Sequence, residues 1–322
     1  MFNKLKLGNV DNVVIQGMDE HRDFFRLLKS FCENVERFNP DYVTVHTNWQ
    51  LAIAVVAKHW RRYDYSLLYI LHGYRHNYRV RSIVAKCVIG AALLFFADDV
   101  IMPSSFLKKQ FSFLGKKNKI IFIGEDEAFF QDYPLPTFSG TKRFVFAAEF
   151  RTGKNQDLLI RALKRYIDAS GDRDIELHLP GKGNRLADCK QLCRQLDIED
   201  KVIFPGFLDR AAMLELYLKS QFALVSSNVE TFGHCIVEPF LLGRVVITRH
   251  VGVADDIIIA GETGFFFDGE DDLVELLLKI SLDQALCTNV SENAYKKRDL
   301  FRWETVCQQH FTLIYDRPRP IA

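Results

Sequence analysis

The sequence has no apolar run long enough to cross a membrane and no regular set of cysteines. Its longest apolar run, VIGAALLFFA (88–97), is about half of the roughly 20 residues that a spanning helix needs. The first residues, MFNKLKLGNV, lack the uninterrupted apolar segment of a signal peptide. The seven cysteines are an odd number scattered over 322 residues, which is not the pattern of a disulfide framework. We therefore expect a cytoplasmic protein in a reducing compartment.

A zinc motif and a strong net charge are also missing. Cys189 and Cys193 have the spacing of one helical turn, but no second pair with metal-ligand spacing follows them, so we expect two packed thiols. The 42 Lys and Arg side chains nearly balance the 41 Asp and Glu side chains, and a net charge of +1 gives no general attraction to nucleic acid. We find no internal repeat and no low-complexity segment. A chain of 322 residues exceeds a comfortable single core, so we predict two domains.

The sequence does contain short β-rich apolar runs that alternate with stretches of helical periodicity, the pattern of parallel sheets with crossover helices. The predicted strands are NVVIQG, DYVTVH, SLLYILHG, DVIMP and KIIFIG in the first half, and RFVFAA, IELHLPG, KVIFPG, FALVSS, VVIT and GFFF in the second. Between the halves, QDYPLPTFSGTK (131–142) has the composition of a linker. We predict an α/β protein with two Rossmann-like, doubly wound parallel sheets whose strand ends border one crevice.

The predicted domain limits follow this linker. Residues 1–137 form the first domain, residues 138–300 form the second, and residues 301–322 form a C-terminal helix that returns toward the first domain. The first plausible strand begins near Asp11, so the first domain lacks an initial strand, glycine-rich turn and helix. We expect a shortened first domain.

Two carboxylates bracket a Phe-Gly in ETFGHCIVE, from Glu230 to Glu238, directly after the apolar run FALVSS. A strand that ends there and a helix that begins near Gly233 present free backbone N–H groups, which bind anions. Gly233 also removes the Cβ that would keep a ligand away from the backbone. Because a carboxylate accepts hydrogen bonds from two vicinal hydroxyls, the pattern suits a nucleotide-diphosphate sugar. Two alternatives remain open: ordinary loop and helix glutamates, and the acid and base of a glycosidase.

A second anion site is predicted in FAAEFRTGKNQDLLIRAL (146–163). A strand ends at Ala148, and an amphipathic helix starts near Lys154. Arg151 and Lys154 therefore stand at a helix N-terminus, where they could neutralise a diphosphate without a metal. Solvated surface charges are the alternative explanation.

The order and spacing of these pieces resemble the family-four retaining glycosyltransferases of the GT-B fold, the glycosyl transferases group 1. The resemblance covers about residues 143–268 and looser segments on both sides. Its motifs here are Lys154-Asn155, the glycines 181 and 183, FPGF (204–207), Glu230 to Glu238, GRVV (243–246), VGVADD (251–256) and GETGFFF (261–267).

In the first half, NPDYVTVHTN and LLYILHG resemble two strands of that family, the second of which ends near the donor sugar. ADDVIMPSSFLKKQF and KIIFIGEDEAFF resemble two further family segments. His72 closes LLYILH, and apart from the resemblance a histidine at a strand end is more often a packed or capping residue. His46 we expect to be structural.

Carried over by position, the resemblance implies three catalytic side chains. His72 would approach the transferred sugar, Lys154 would contact the donor diphosphate, and Glu230 would hold sugar hydroxyls. Glu238 would take the ribose hydroxyls, and the backbone around Gly206 would meet the base. The predicted donor-binding residues are Arg151, Gly206, Phe207, Thr231, Phe232, Gly233, His234, Cys235 and Glu238.

The sequence departs from the family pattern at several positions. Glu149 stands where the family has an arginine, and Arg151 is a candidate replacement. Val245 replaces a proline, and Asp256 occupies the acidic place of the glycine-rich turn. The initial strand and glycine-rich loop, which in the family lie against the donor phosphates, are missing.

The resemblance implies transfer of a hexose from a nucleotide-diphosphate sugar to a saccharide or lipid-linked saccharide with retention of configuration, in bacterial surface polysaccharide or lipopolysaccharide synthesis. We expect no metal or other cofactor. The alternatives are a nucleotide-sugar-binding scaffold that has lost transfer, and a phosphorylase of the same architecture. The basic segment 75–96 mixes Arg75, Arg79, Arg81 and Lys86 with apolar residues, so it is either an interfacial helix on the anionic inner face of the plasma membrane or a core helix with one basic face.

Overall fold

A computed structural model of the chain describes residues 23–72 and 89–315. The chain divides into two compact units: Met1–Ile101 with Phe111–Lys119, and Met102–Gln110 with Ile120–Ala322. The strand predicted near residues 12–17, most of the basic segment and the last seven residues lie outside the described residues. Among the described residues, no helix combines the length and the apolarity needed to cross a bilayer.

The first sheet has four strands in chain order, β1 (Tyr42–Val45), β2 (Ser66–Ile70), β3 (Asp99–Met102) and β4 (Asn118–Ile120). Strand β2 pairs in parallel with both β1 and β3. The helices of the first unit are α1 (Phe24–Phe38), α2 (Asn48–Arg61) and α3, whose described part is 89–96, and a 3-10 helix covers Ser112–Lys117.

Local signals in the sequence fix the first two helices. Asp23 caps α1 by accepting hydrogen bonds from the first-turn amides, and Thr47 and Gln50 form a reciprocal capping box at the start of α2. Leu28 of α1 packs against Ile53 of α2, and both are almost fully buried. These contacts bury one apolar face of each helix.

The second sheet has six strands in the order β10-β9-β8-β5-β6-β7, and each pair of neighbouring strands is parallel. The strands are β5 (Lys142–Val145), β6 (Ile175–His178), β7 (Val202–Ile203), β8 (Phe222–Val225), β9 (Val245–Thr248) and β10 (Phe265–Phe266). Its central strands are buried on both faces, as expected when helices cover a parallel sheet. The predicted α/β class with two parallel sheets is confirmed.

The helices of the second unit follow its strands in turn. They are α4 (Ser105–Gln110), α5 (Gln156–Ser170), α6 (Leu186–Gln195), α7 (Arg210–Lys219), α8 (His234–Leu241), α9 (Ala254–Ile257), α10 (Glu270–Leu282), α11 (Gln284–Lys296) and α12 (Trp303–Tyr315), with 3-10 helices at Glu127–Phe130 and Arg298–Phe301. In the strand order, the chain moves from β5 outward to β7 and then returns to β8 on the other side of β5. The switch point between β5 and β8 is where such sheets bind ligands.

The segment 131–141, predicted as a linker, has no helix or strand and packs within the second unit. The buried guanidinium of Arg244 donates to the Pro134 carbonyl oxygen at 2.8 Å, and the Phe138 ring contacts the Phe222 ring. Phe129 and Phe130, just before it, belong to the core of this unit. The predicted domain limits at residues 137 and 300 stay a prediction.

Candidate functional site

Two loops meet at the switch point of the second sheet. One leads from β5 to α5 and the other from β8 to α8, and because β5 and β8 are parallel neighbours, both helices begin at the same edge. The Ser226 hydroxyl donates to the Lys154 carbonyl oxygen at 2.7 Å, and the Asn155 amide donates to the Ser226 carbonyl oxygen at 3.0 Å. These hydrogen bonds tie the two loops together.

The side chains of Lys154 and Glu230 form an ion pair between these loops. The ammonium group donates a short hydrogen bond to the Glu230 carboxylate, and the two side chains are only 10% and 14% exposed. The Cys235 thiol lies 3.9 Å from the same carboxylate oxygen. The structure thus brings together two side chains that the sequence placed separately at a donor site.

The loop before α5 is longer than the sequence analysis predicted. The helix begins at Gln156, two residues after Lys154, because Asn155 adopts a left-handed conformation with φ of 54°. Ser226 and Asn155 hold this turn, so Lys154 lies in the loop with its ammonium free to reach Glu230.

The start of α8 agrees closely with the prediction. Gly233 is the N-cap residue with φ of 97°, a conformation that favours glycine, and His234 is the first helical residue. The turn before the helix is held by Gly252, where an added Cβ would lie 2.2 Å from the Phe232 carbonyl oxygen. Within residues 23–72 and 89–315, no side chain caps α8, so its first amides are open to a ligand.

Glu238 lies one turn inside α8, on the same face as His234. Burial, with the nearby Glu125 carboxylate, raises the pKa of Glu238 to about 7. The fully buried Tyr217 hydroxyl faces this carboxyl, and within the described residues it makes no hydrogen bond of standard geometry. Burial also raises the pKa of the Cys235 thiol well above its usual range. Glu238 therefore sits among partly desolvated polar groups in the second unit.

Glu125 is a site residue that the sequence analysis did not single out. Its carboxylate is 4% exposed and accepts a hydrogen bond from His234 Nδ1 at 2.6 Å, whereas the His234 side chain is 54% exposed. This hydrogen bond raises the pKa of His234. The only sequence signal was an acid directly after Gly124, beyond the end of strand β4.

Glu125, His234 and Glu238 together are the one group among the described residues whose spacing would suit a metal ion. Their ligand atoms all lie within 4.8 Å of one another. The Glu125–His234 hydrogen bond already occupies two of these atoms.

Helix α4 packs beside the same loop. The Ser104 hydroxyl donates to the Thr231 carbonyl oxygen at 2.5 Å, and the Ser105 amide donates to the Asp256 carboxylate at 2.8 Å. Asp255 pairs with Lys109 of α4 at 3.1 Å. Asp256, which aligns with the acidic residue of the family's glycine-rich turn, therefore caps helix α4.

Arg151 and the residues predicted to meet the base lie at the outer part of this sheet edge. The Arg151 guanidinium lies 3.1 Å from the Glu149 carboxylate, and both side chains are more than half exposed. A cleft of about 390 Å³ opens at the ends of β5, β6 and β7, lined among others by Glu149, Lys182 and Phe207. Phe207 is 72% exposed beneath the Lys182 ammonium, and the Gly206 carbonyl oxygen accepts from the Gly181 amide at 2.8 Å.

His72 lies in the first unit, two residues after β2. Its Nε2 is 2.8 Å from Nδ1 of His46, and the two rings are stacked with centroids 5.2 Å apart. Burial lowers the pKa of His72. His46, expected to be structural, is thus the direct partner of the predicted catalytic histidine. The roles of all these residues toward a donor stay predictions.

The chain is similar in sequence and in fold to known glycosyltransferases. The family model described as glycosyl transferases group 1 matches residues 130–297, which is 168 of the 322 residues. N-acetyl-alpha-D-glucosaminyl L-malate synthase of Bacillus anthracis is 24% identical over 231 residues, covering 71% of this chain and 58% of that protein. The N-acetylgalactosamine-N,N'-diacetylbacillosaminyl-diphospho-undecaprenol 4-alpha-N-acetylgalactosaminyltransferase of Campylobacter jejuni is 27% identical over 223 residues, covering 67% of this chain and 57% of that protein.

The chain thus spans less than two thirds of the length of these relatives. Among solved structures, Anabaena Alr3699/HepE in complex with UDP superposes with a TM-score of 0.77 at 20% identity, covering 91% of this chain and 82% of that one. This likeness concerns the fold, and it confirms the predicted GT-B architecture.

Proposed function

Since this chain belongs to the glycosyl transferases group 1 family, we propose that it transfers a hexose from a nucleotide-diphosphate sugar to a saccharide or lipid-linked saccharide, with retention of configuration. The predicted family is confirmed, and glycosyl transfer is the chemistry that its name states. We place the reaction in the synthesis of a bacterial surface polysaccharide or lipopolysaccharide. The two relatives described above have names that concern glycosyl transfer to malate and to an undecaprenol-linked sugar, and they support this class of reaction.

The observation that carries the proposal is the Lys154–Glu230 pair at the switch point, between the starts of two helices. The open amides at the start of α8 and the positive end of its dipole attract a diphosphate. The Lys154 ammonium, held at Glu230 in the loop before α8, adds a positive charge at the same place. Glu230, which holds Lys154 in place, has carboxylate oxygens left for sugar hydroxyls. The arrangement supplies a phosphate site and a sugar site side by side.

The remaining proposed donor contacts lie further along α8 and in the cleft at the ends of β5, β6 and β7. Glu238, one turn after His234, would accept the ribose hydroxyls once it is ionised. The base would stack in the cleft beside Phe207, with backbone groups at Gly206 reading its edge. Arg151 would reach the diphosphate by exchanging its exposed partner Glu149, and His72 would approach the transferred sugar.

The proposed reaction is a front-face displacement. The bond between the anomeric carbon and the diphosphate oxygen breaks, the acceptor oxygen bonds to that carbon from the same face, and the acceptor proton passes to a diphosphate oxygen. Fixed amides and Lys154 stabilise the charge that develops on the leaving group. We therefore propose that no metal is required, and that transfer persists undiminished in the presence of a chelator.

We also propose an anionic membrane surface as a partner. In the described part of the basic segment, Phe95 is 76% exposed, and an exposed aromatic ring in a segment whose sequence is rich in Arg and Lys suits a lipid headgroup region. The protein would then act at the inner face of the plasma membrane. Vesicles containing phosphatidylglycerol should retain it at low salt and release it at high salt. Equal binding to neutral vesicles would refute this part of the proposal.

The test of the function uses a panel of uridine and guanosine diphosphate sugars. Binding of one sugar nucleotide should raise the melting temperature, since a ligand at about 100 times its Kd contributes about 2.7 kcal/mol. Incubation with saccharide acceptors should give a product whose anomeric configuration, read by NMR coupling constants, matches the donor. An inverted product would overturn retention, and the absence of any nucleotide binding would overturn the function.

A scaffold that binds a nucleotide sugar without transferring it is the second candidate. The observation that favours it is Glu149, which places a carboxylate in the cleft where the family has an arginine. Binding without turnover, even after Glu149→Arg, would support the scaffold. Restored or increased transfer in that variant would support the enzyme.

A further inference from the structure

Each basic side chain predicted to meet the diphosphate already has a carboxylate partner. Lys154 pairs with Glu230, and Arg151 pairs with Glu149. A diphosphate entering this site therefore brings negative charge to a region whose fixed charges are already balanced. A further positive charge is needed close to the start of α8.

We propose that Glu125 and His234 form a dyad that supplies this charge. The buried carboxylate holds the imidazole through Nδ1, and the protonated ring donates Nε2–H to a phosphate oxygen of the donor. The inference rests on the proposed function and adds to it a positioning residue, Glu125, and a role for the His234 side chain.

The geometry of the pair supports this role. Glu125 accepts from Nδ1 at 2.6 Å and is itself fixed, because its backbone amide donates to the Phe301 carbonyl oxygen at 2.9 Å. A carboxylate on Nδ1 determines which ring nitrogen is left for a ligand, and here that nitrogen is Nε2. The His234 ring also contacts Phe232 edge-on, with centroids 5.2 Å apart. The ring is therefore held on two sides while more than half of it stays accessible.

The position along α8 points the dyad at the phosphates. His234 is the first residue of the helix, where the amides are open, and Glu238 is one turn further on the same face. A ligand whose ribose lies at Glu238 and whose distal phosphate lies at the helix start must pass the His234 side chain. Two other charged groups act on this ring: the Glu238 carboxylate, which raises the pKa of His234, and Arg210, which lowers it and is tied to Asp126 of the preceding loop.

The dyad predicts that nucleotide binding changes the protonation of the protein in a specific way. Where the pH lies above the raised pKa of His234 in the free protein, the ring is neutral, so a bound diphosphate should draw a proton onto it. At about pH 6, Glu238 carries a proton that the ribose hydroxyls must displace, so binding should release one. Proton uptake at the higher pH belongs to the dyad alone.

Isothermal titration calorimetry of the full chain with UDP, GDP, ADP and dTDP, in buffers of different ionisation enthalpy, measures this exchange. For whichever nucleotide binds, we expect a net proton uptake at the alkaline end of a series of buffers from about pH 6 to about pH 9. Glu125→Gln keeps an acceptor for Nδ1 but removes the charge, so the uptake should vanish and the Kd should rise about 5- to 10-fold. His234→Asn should give the same result, and because its side chain is exposed it serves if Glu125→Gln does not fold.

The matched control is His250→Asn. His250 Nδ1 is also 2.6 Å from a carboxylate, that of Asp255, and its side chain is also 54% exposed. This variant should keep both the uptake and the Kd. Nucleotide binding by the unmodified chain without proton uptake at any pH of the series, or uptake that survives in both dyad variants, would overturn the dyad and leave the transferase intact. Failure of all four nucleotides to bind would overturn both.

Discussion

Replacing Lys154 by methionine tests the ion pair on which the site is built. The two side chains are 10% and 14% exposed, so water screens their interaction only weakly. Removing the ammonium leaves the Glu230 carboxylate with one weak partner, the Cys235 thiol at 3.9 Å. Loss of one member of a buried pair costs about 3 to 5 kcal/mol. We expect the free energy of unfolding to fall by about 3 kcal/mol, toward the lower end because the pair is not fully enclosed.

The double variant Lys154→Met/Glu230→Leu separates stability from binding. Replacing both charges by apolar groups of similar volume is often neutral, so most of the lost stability should return. Urea unfolding curves give the four free energies of the double-mutant cycle, and the double variant should regain about 2 kcal/mol or more relative to Lys154→Met. Calorimetry with the nucleotide that binds the unmodified chain should show no binding to either variant.

Two outcomes would refute this reasoning. A single variant that costs less than about 1 kcal/mol would mean that the pair behaves as an exposed surface pair. A double variant that is stable and still binds nucleotide with unchanged Kd would mean that Lys154 does not contact the diphosphate.

Three further predictions concern the same unit. Because burial and a nearby carboxylate raise the pKa of Glu238 to about 7, its ionised form is disfavoured in the folded protein, and the free energy of unfolding should fall by about 3 kcal/mol as the pH rises from 4.5 to above 7. In Glu238→Gln, urea unfolding curves over the same pH range should lack this fall in the free energy of unfolding. The same pH dependence in the variant and in the unmodified protein would contradict the raised pKa of Glu238. Gly252→Ala places a methyl group 2.2 Å from the Phe232 carbonyl oxygen. The control is Gly140→Ala, where φ is also positive but a Cβ would meet nothing within 4 Å, so Gly252→Ala should lower the free energy of unfolding by about 2 kcal/mol more than the control does. Equal losses of melting temperature in the two variants would refute the contact. Arg244→Ala removes a guanidinium that is 2% exposed and bound only to backbone carbonyls, and it should lower the free energy of unfolding by about 3 kcal/mol; a loss under about 1 kcal/mol in urea unfolding would mean that these hydrogen bonds contribute little.

The strands could be predicted because each is a short apolar run with a clear end. FALV of β8 and VVIT of β9 are buried along their whole length. A short apolar run between polar turns is typical of a strand that is buried on both faces of a parallel sheet. The start of α5 could not be placed as well. Lys154-Asn155 was interpreted as the beginning of the helix, but Asn155 takes a left-handed conformation that depends on its hydrogen bond to Ser226, a residue 71 positions away.

The site was predictable where its residues lie on one element. Gly233, His234 and Glu238 follow from the register of a single helix. Glu125 was missed because it is 109 positions from His234, and only the fold brings a strand-end loop against the first turn of α8. His46 was taken as structural for the same reason, since its contact with His72 depends on the pairing of two strands.

The hydrogen bonds among Lys154, Asn155 and Ser226 have a consequence for how such a protein can diverge. An insertion in either loop would break the bonds that shape the other, so neither can change its length on its own. Under the proposed function, a change of donor specificity that alters the length of one loop would need a matched change in the other. An engineer who wishes to swap the sugar should therefore transplant them as a single cassette.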